Sequence, residues 1–335
     1  MTPNGIEALR TPDERFKSVP DFAYTPHYLY YGNLRMAYID QRNTAATHSR
    51  GNPEPEETFL CLHGQPTWSF LYRRMVPHFL NHTTQPTTPR RRVLAPDLLG
   101  FGRSDKPTAD STYTYDFHRD SLLHFVTTLN LRNITLVVQD WGGLLGLTLP
   151  LAEPGRFKRL IVMNTSLPTG EPAGKGFNSW RDYNNRSPDM NIGALIGRGT
   201  PHLTRLERAA YDAPFPTKEF KGGVRRFPNL VMTEPGMEGV DVSKRSRELY
   251  ASEATPFGPG NVFVACGMRD PVLGPPIMEQ LAKVWRHGCW WLEVGEGGHF
   301  VQEWGEEVAR KAIEAFERRE APQGVGRVKG GESKL

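Results

Sequence analysis

The sequence predicts an α/β fold with a mostly parallel sheet, and two observations carry that prediction. Short β-branched runs alternate with longer stretches of helical periodicity, the pattern of βαβ units. The 335 residues exceed the roughly 150 of one typical domain, which leaves room for two domains or for one large domain with an insertion.

Strand-like runs fall at Leu34–Ile39, Thr58–Leu62, Val93–Ala95, Thr135–Val138, Leu160–Met163, Val262–Ala265 and Trp290–Val294. Helical patterns lie between or after them at Ser69–Leu80, Tyr115–Leu129, Trp141–Leu151, Pro276–Trp285 and Gly305–Arg318. Gln41–Glu57 and His82–Arg92 are rich in Thr, Pro, Asn and charge and read as surface loops. From about Ser166 to Glu253 the alternation lapses into Gly, Pro and short helical patterns. The expected organisation is a core of residues 1–165 and 254–320, an inserted helical cap over 166–253, and a flexible Gly- and Lys-rich tail over 321–335.

Composition excludes several functions. The net charge is 41 − 37 = +4. Arg327, Lys329 and Lys334 against Glu332 put 3 − 1 = +2 of it in the tail, and Arg90, Arg91 and Arg92 form one short run assigned to a loop. Neither is the basic stripe that a nucleic-acid partner needs. No apolar run reaches the ~18 residues of a membrane span. The opening MTPNGIEALRTPDERF has neither the basic nor the apolar region of a secretory signal. Cys61, Cys266 and Cys289 are too few for a disulfide framework, and each adjoins a strand-like run, so buried free thiols in a reducing compartment are expected.

Four segments carry chemistry. In NITLVVQDWGGLLGLT a buried strand runs straight into a helix with Gly142 and Gly143 in its first turn. Such a sharp strand-to-helix turn holds one side chain up on strained backbone, as in G-x-S-x-G, but the central residue here is Asp140. A carboxylate at that point is a nucleophile that needs no base to activate it; a helix-capping Asp is the plainer alternative. In LCLHGQPTWSFLYR a strand ends at His63-Gly64, where this kind of fold supplies one oxyanion-hole donor, the other coming from the residue after the nucleophile. The backbone N–H groups of Gln65 and Trp141 are the candidates, and His63 reads as structural. His299 follows the last of these strands in GEGGHFVQEWG, and Asp270 follows the preceding one in VACGMRDPVL. The order Asp140, Asp270, His299 is the nucleophile–acid–histidine order of the α/β-hydrolase fold.

At these residues the sequence resembles the haloalkane dehalogenases within the α/β-hydrolases. The matching segments are HGQPTWSFLYRRM, VLAPDLLGFGRSDKP, VVQDWGG, FNSW, YDAPFP, GVRRFP, GMRDPVLGP and GGHFVQEWGE, spread from about Tyr28 to about Arg319. DWGG is shared with epoxide hydrolases; FNSW together with GMRDPVLGP is more specific. One branch of the family holds halide with an Asn in an HGNP turn and takes its acid, a Glu, from an earlier strand. Gln65 in that turn and Asn164 after Leu160–Met163 place this chain with the other branch. There the acid follows the later strand, Asp270 here, and the second halide-holding indole lies in the cap, Trp180 here.

The resemblance implies displacement of halide by Asp140 to give an alkyl ester. Trp141 and Trp180 would hold the leaving anion, and water activated by His299, itself oriented by Asp270, would hydrolyse the ester. Phe177, Phe227, Pro228 and Leu273 match positions that line the apolar pocket in this family, and core packing is the plain alternative for each. The implied partners are a small halogenated alkane, water and halide, with no metal, organic cofactor, nucleic acid or membrane, and a monomer is the default. An epoxide hydrolase would share the Asp and the Asp–His pair but would also need a general acid, for which Tyr183, Tyr211 and Tyr250 stand in the insertion. A serine esterase is disfavoured by Asp140 in the Ser position, and a non-catalytic binding protein by the intact triad. The terminal Ser333-Lys334-Leu335 reads as an address for a peroxisomal import receptor in a eukaryotic cell; a bacterial source would make the protein cytoplasmic.

Overall fold

Runs that are apolar on both faces form the buried centre of the sheet. The computed structural model describes residues 4–43 and 56–331. Its strands are β1 (Ala8–Leu9), β2 (His27–Tyr31), β3 (Leu34–Arg42), β4 (Glu57–Leu62), β5 (Arg91–Pro96), β6 (Lys106–Pro107), β7 (Ile134–Gln139), β8 (Phe157–Met163), β9 (Val262–Gly267), β10 (Cys289–Val294) and β11 (Val325–Val328). β1 and β6 form a short antiparallel ribbon, and the rest make a nine-stranded sheet in the order β11-β10-β9-β8-β7-β4-β5-β3-β2. The pairs from β5 through β4, β7, β8 and β9 to β10 are parallel; β2–β3, β3–β5 and β10–β11 are antiparallel. The fold is that of the α/β hydrolases, with every residue of β7 and β9 buried.

The helices are α1 (Val76–Asn81), α2 (Tyr115–Thr128), α3 (Trp141–Gly146), α4 (Leu149–Ala152), α5 (Lys175–Arg186), α6 (Ile192–Gly199), α7 (Arg205–Asp212), α8 (Gly222–Arg226), α9 (Val240–Ala251), α10 (Pro275–Ala282) and α11 (Gly305–Arg318). α1 packs on β5 and α11, α3 on β4 and β7, and α10 on β9. The stretch between β8 and β9 holds α5 to α9 and no strand. Cys61, Cys266 and Cys289 are buried free thiols. No helix among the described residues is long and apolar enough to cross a membrane.

Several expectations differ from the structure. Ser69–Leu80 is a 3-10 turn (Ser69–Tyr72) followed by α1, and Trp141–Leu151 divides into α3 and α4. In each case a proline, Pro77 or Pro150, sits in the first turn of the new helix, where its missing N–H does no harm. The strand β2 has no alternation of apolar and polar residues to mark it, since tyrosines of HYLYY fall on both faces; the structure buries Leu29 and Tyr31 and exposes Tyr28 and Tyr30. Within the segment 321–335, β11 is ordered against β10, with the Arg327 guanidinium 5.3 Å from the Trp290 ring centre. Two valines suffice because the edge of β10 offers unpaired backbone groups. Ser333-Lys334-Leu335 lies outside the described residues, as do residues 44–55 of the polar stretch before β4.

The arginine run is not a loop: Arg91 and Arg92 open β5. Arg91 is buried, its guanidinium 2.9 Å from Glu57 Oε2 and 2.7 Å from Glu317 Oε1 at the end of α11. It also donates to the carbonyl of Phe79 at 3.4 Å and to that of His82. A buried guanidinium persists only where its donors are met, and Arg91 thereby ties α1, α11 and two strands together. Arg91→Met should lower stability by about 1–3 kcal/mol in urea denaturation, because it takes the cation from Glu317, which keeps only its bonds from Thr83 and Thr84. Arg91→Met with Glu317→Leu should recover much of that loss; an unchanged midpoint in the single variant would show that these bridges contribute nothing.

Candidate active site

The site assembles at the carboxyl ends of five neighbouring parallel strands, β4, β7, β8, β9 and β10, where ligands sit in open α/β sheets. β7 delivers Asp140. Its φ of 51° and ψ of −128° lie outside the usual regions for an L-residue. Four hydrogen bonds hold that backbone: Asp140 N to Asn164 O at 2.9 Å, Thr165 Oγ1 to Asp140 O at 2.7 Å, and Gly143 N and Leu144 N to Asp140 O at 2.9 and 3.1 Å. Gly142 permits the turn, since a Cβ there would lie 1.9 Å from Leu62 O; one on Gly143 would lie 2.1 Å from Thr165 Oγ1. Asp140 is therefore not serving as a side-chain helix cap: its carboxylate makes no cap bond to α3.

The turn after β4 brings the Gln65 N–H to Asp140 Oδ1 at 2.7 Å. The Gln65 side chain points elsewhere and donates to Val224 O in α8 at 3.0 Å. The Trp141 N–H makes no hydrogen bond among the described residues. His63 is fully buried; its Nε2 accepts from Leu98 N at 2.9 Å and its Nδ1 lies 2.8 Å from Gly64 O, so it braces two loops and does not face the nucleophile.

Three strands from β7, the loop after β10 sets His299 Nε2 3.5 Å from Asp140 Oδ2 and Nδ1 2.8 Å from Asp270 Oδ2. Asp270 also accepts from the Val272 and Leu273 N–H groups at 2.8 and 3.1 Å and from Asn164 Nδ2 at 2.9 Å. Burial opposes its charge, but His299 and these donors outweigh burial and hold its pKa down at about 2. Burial likewise disfavours the imidazolium of His299, yet Asp270 and then Asp140 win and push its pKa up to about 10. Asn164 joins two strands, since its Oδ1 accepts from Gly267 N at 2.7 Å while its Nδ2 serves Asp270. Sequence reasoning used Asn164 only as a branch marker and passed over Gln139, whose Nε2 lies 2.9 Å from His299 Nε2. Both stand at strand ends beside triad members, which was the available signal.

Asp140, Asp270, His299, Gln65, Trp141 and Trp180 all line one cavity of about 1020 Å³. Phe177, Pro228 and Leu273 line it too. Phe227 does not: it is fully buried behind Trp141, ring centres 4.6 Å apart, and against Phe101 and His118. Its neighbour Pro228, the next residue of the same 3-10 turn, takes the lining position. No tyrosine among the described residues lines the cavity. Tyr211 and Tyr250 are buried with their hydroxyls on Glu303 and on the Leu147 carbonyl, and Tyr183 packs beside Trp180 with ring centres 6.0 Å apart. The described residues contain no cluster able to hold a metal ion.

A family model for the alpha/beta hydrolase fold matches residues 57–306. A haloalkane dehalogenase of Psychrobacter cryohalolentis is 38% identical over 322 residues, 92% of this chain and 98% of its own. One from Mycolicibacterium paratuberculosis is 38% identical over 279 residues, 80% of this chain and 84% of its own. Among solved structures, the tetrameric haloalkane dehalogenase of Paraglaciecola agarilytica superimposes with a TM-score of 0.82 at 45% identity, covering 92% of this chain and 98% of that one.

The geometry makes Asn164 a support for the Asp270 charge. Asn164→Ala should raise the Asp270 pKa from about 2 by about one unit, as loss of one hydrogen bond to a charged group implies. A carboxylate held below its unfolded value stabilises the fold above about pH 4 and loses that contribution as pH falls towards the folded value. The variant should therefore be less stable at neutral pH and less sensitive to acid. Carboxyl chemical shifts followed against pH would read this, and an unmoved Asp270 titration would remove Asn164 from the account.

Proposed function

The chain belongs to the haloalkane dehalogenases of the α/β-hydrolase fold, and from that membership we propose that it hydrolyses haloalkanes to alcohol, halide and a proton through an alkyl ester on Asp140. The observation that carries the reading is the approach of His299 to both Asp140 and Asp270 in a cavity whose lining includes the indoles of Trp141 and Trp180.

In the first step Asp140 Oδ2 attacks the halogen-bearing carbon, the carbon–halogen bond breaks, and the electron pair leaves with the halide. The carboxylate is already charged, and at 16% side-chain exposure it has shed most of its water. The negative charge moves to a large, weakly hydrated anion. Indole N–H groups suit it, being donors only, on an apolar frame. Trp68 and Trp290 spend theirs on backbone carbonyls at 3.1 Å each. Those of Trp141 and Trp180 make no hydrogen bond among the described residues, which leaves both for the halide.

In the second step water attacks Cγ of Asp140 while His299 Nε2 takes its proton. The oxyanion forms on Oδ1, where the Gln65 N–H already points, with the Trp141 N–H as second donor. Collapse expels the alcohol oxygen, the imidazolium returns its proton to it, and the carboxylic acid left on Asp140 ionises, which releases the net proton and restores the nucleophile. The electrostatics favour this order. The ester removes the Asp140 charge that helps hold the imidazole protonated, so His299 becomes a base once alkylation is complete. Phe177, Pro228 and Leu273 give the alkyl chain an apolar wall. An epoxide hydrolase would need an acid at the ring oxygen, and none of the three cap tyrosines that could serve lines the cavity.

His299→Phe should leave the first step and stop the second. With 1-bromobutane it should release one halide per site and add one butyl mass to the peptide bearing Asp140. If that peptide stays unmodified through repeated substrate additions, the two-step scheme fails. Trp180→Phe should lower halide release by about tenfold or more, the loss expected for one donor to a developing anion, with Trp141 still in place. Full activity in that variant, or diol formation from styrene oxide without halide release, would remove the cap-borne halide site.

A further inference from the structure

The scheme above leaves the residue before the nucleophile without a task. Gln139 ends β7 and is fully buried. Its Nε2 lies 2.9 Å from His299 Nε2 and 3.0 Å from the His299 carbonyl oxygen, and its Oε1 accepts from Gln302 Nε2 at 3.5 Å. A carbonyl oxygen can only accept, so the end of the amide facing His299 is its NH₂. Gln302 donating to the other end agrees with that orientation. The two amide hydrogens then meet two acceptors on one residue: the His299 carbonyl and the lone pair of Nε2.

We propose that Gln139 is a positioning residue for ester hydrolysis, holding His299 by backbone and ring together so that Nε2 stays an unprotonated acceptor. The inference rests on the ester mechanism proposed above. Once Asp140 is esterified, the proton sits on Nδ1, given to Asp270 at 2.8 Å, and the Nε2 lone pair is held by Gln139 until the attacking water takes its place. Protonating Nε2 would set two donors 2.9 Å apart, which opposes the imidazolium. That opposition does two things. Before alkylation it weakens the ion pair between His299 and Asp140, which would occupy the attacking oxygen. After water has attacked, it favours passing the proton on to the departing alcohol oxygen.

The other charges around His299 are accounted for. Asp140 and Asp270 face the ring and favour the cation. Arg269 and Glu296, on the turns to either side, pair with each other, and Glu303, on the turn that follows, is taken up by Arg73 and Arg74. Gln139 is thus the neutral group in contact with Nε2 that acts against the carboxylates.

The test follows the hydrolysis of the Asp140 ester against pH, by rapid quench and mass analysis with 1-bromobutane, in the parent, Gln139→Met and Gln139→Glu. Hydrolysis needs neutral His299, so its rate rises with pH through the histidine titration. Removing the opposing donors stabilises the cation. The limb should move up by about one pH unit in Gln139→Met, tenfold in the protonation equilibrium, and further in Gln139→Glu, which adds a carboxylate. A rate that falls equally at every pH, with the limb unmoved, would make Gln139 merely structural and overturn the proposal. If both variants misfold, the ¹⁵N shifts of His299 in the parent decide: the neutral ring should carry its proton on Nδ1 with Nε2 accepting a hydrogen bond, and a neutral ring protonated on Nε2 would overturn it. The two readings fail separately: no ester in any form of the protein, His299→Phe included, defeats the mechanism, whereas an ester hydrolysed with an unmoved limb defeats only the role of Gln139.

Discussion

Asp140 occupies backbone that costs an L-residue about 1–3 kcal/mol, and the contacts that offset this cost also fix the rest of the site. They come from both neighbours of β7. On one side the turn after β4 passes so close that a Cβ on Gly64 would meet Asp140 Oδ1 at 2.2 Å, and Gly142 lies against the Leu62 carbonyl. On the other side Asn164 and Thr165, just past β8, bond the Asp140 backbone. Parallel register aligns these strand ends, with Leu62 beside Val138 and Gln139 beside Met163. The site is therefore a property of the register of β4, β7 and β8, and a slip in any of the three would separate the nucleophile from its oxyanion donor.

The second constraint is charge. Two carboxylates and one imidazole share a pocket in which Asp270 is fully enclosed and Asp140 and His299 are mostly so. Such a group of charges is tolerable only if each is met by an opposite charge or by oriented donors. Asp270 has four donors and keeps its charge throughout. Asp140 has one backbone donor on Oδ1 and leaves Oδ2 towards His299, which suits a group that must give up its charge to carbon and regain it. The asymmetry between the two aspartates, one fully satisfied and one half so, is what distinguishes a supporting carboxylate from a reacting one.

The central strands and the triad were legible because each depends on local pattern: continuous apolar runs, a strand meeting two glycines, an acid and a histidine just past successive strands. What stayed hidden depends on partners remote in sequence. Arg91 looks like surface charge until Glu57 and Glu317 are brought beside it, the latter 226 residues away. β11 looks like tail until the edge of β10 is there to pair with. The family resemblance puts Phe227 in the pocket, but the chain buries it against Trp141 and outside the cavity lining. The tyrosines of the insertion read as possible acids by type alone; only packing shows that none lines the cavity and that the Tyr211 and Tyr250 hydroxyls are taken by Glu303 and the Leu147 carbonyl.

The insertion is not held uniformly, and this bears on the two indoles. Glu207 of α7 joins Arg73, Arg74 and Glu303 in a buried cluster of two cations and two anions, closed by the Tyr211 hydroxyl. Glu303 lies four residues beyond His299, so the cluster locks α7 to the loop that carries the base. Opening that end would expose unpaired ions, at a cost of several kcal/mol. α5 has no such anchor: of its twelve residues only Asn184 is buried. Trp141, at the elbow, is held with Asp140, whereas Trp180 stands on a helix that hydrogen bonds from Arg181, Asn184 and Asn185 to uncharged acceptors tie to the rest of the insertion. In the proposed scheme the halide thus rests between a donor on the elbow and a donor on the insertion. Withdrawal of α5 would weaken its binding without disturbing Asp140, His299 or the oxyanion donor, and so separates release of the product anion from the geometry of the next attack.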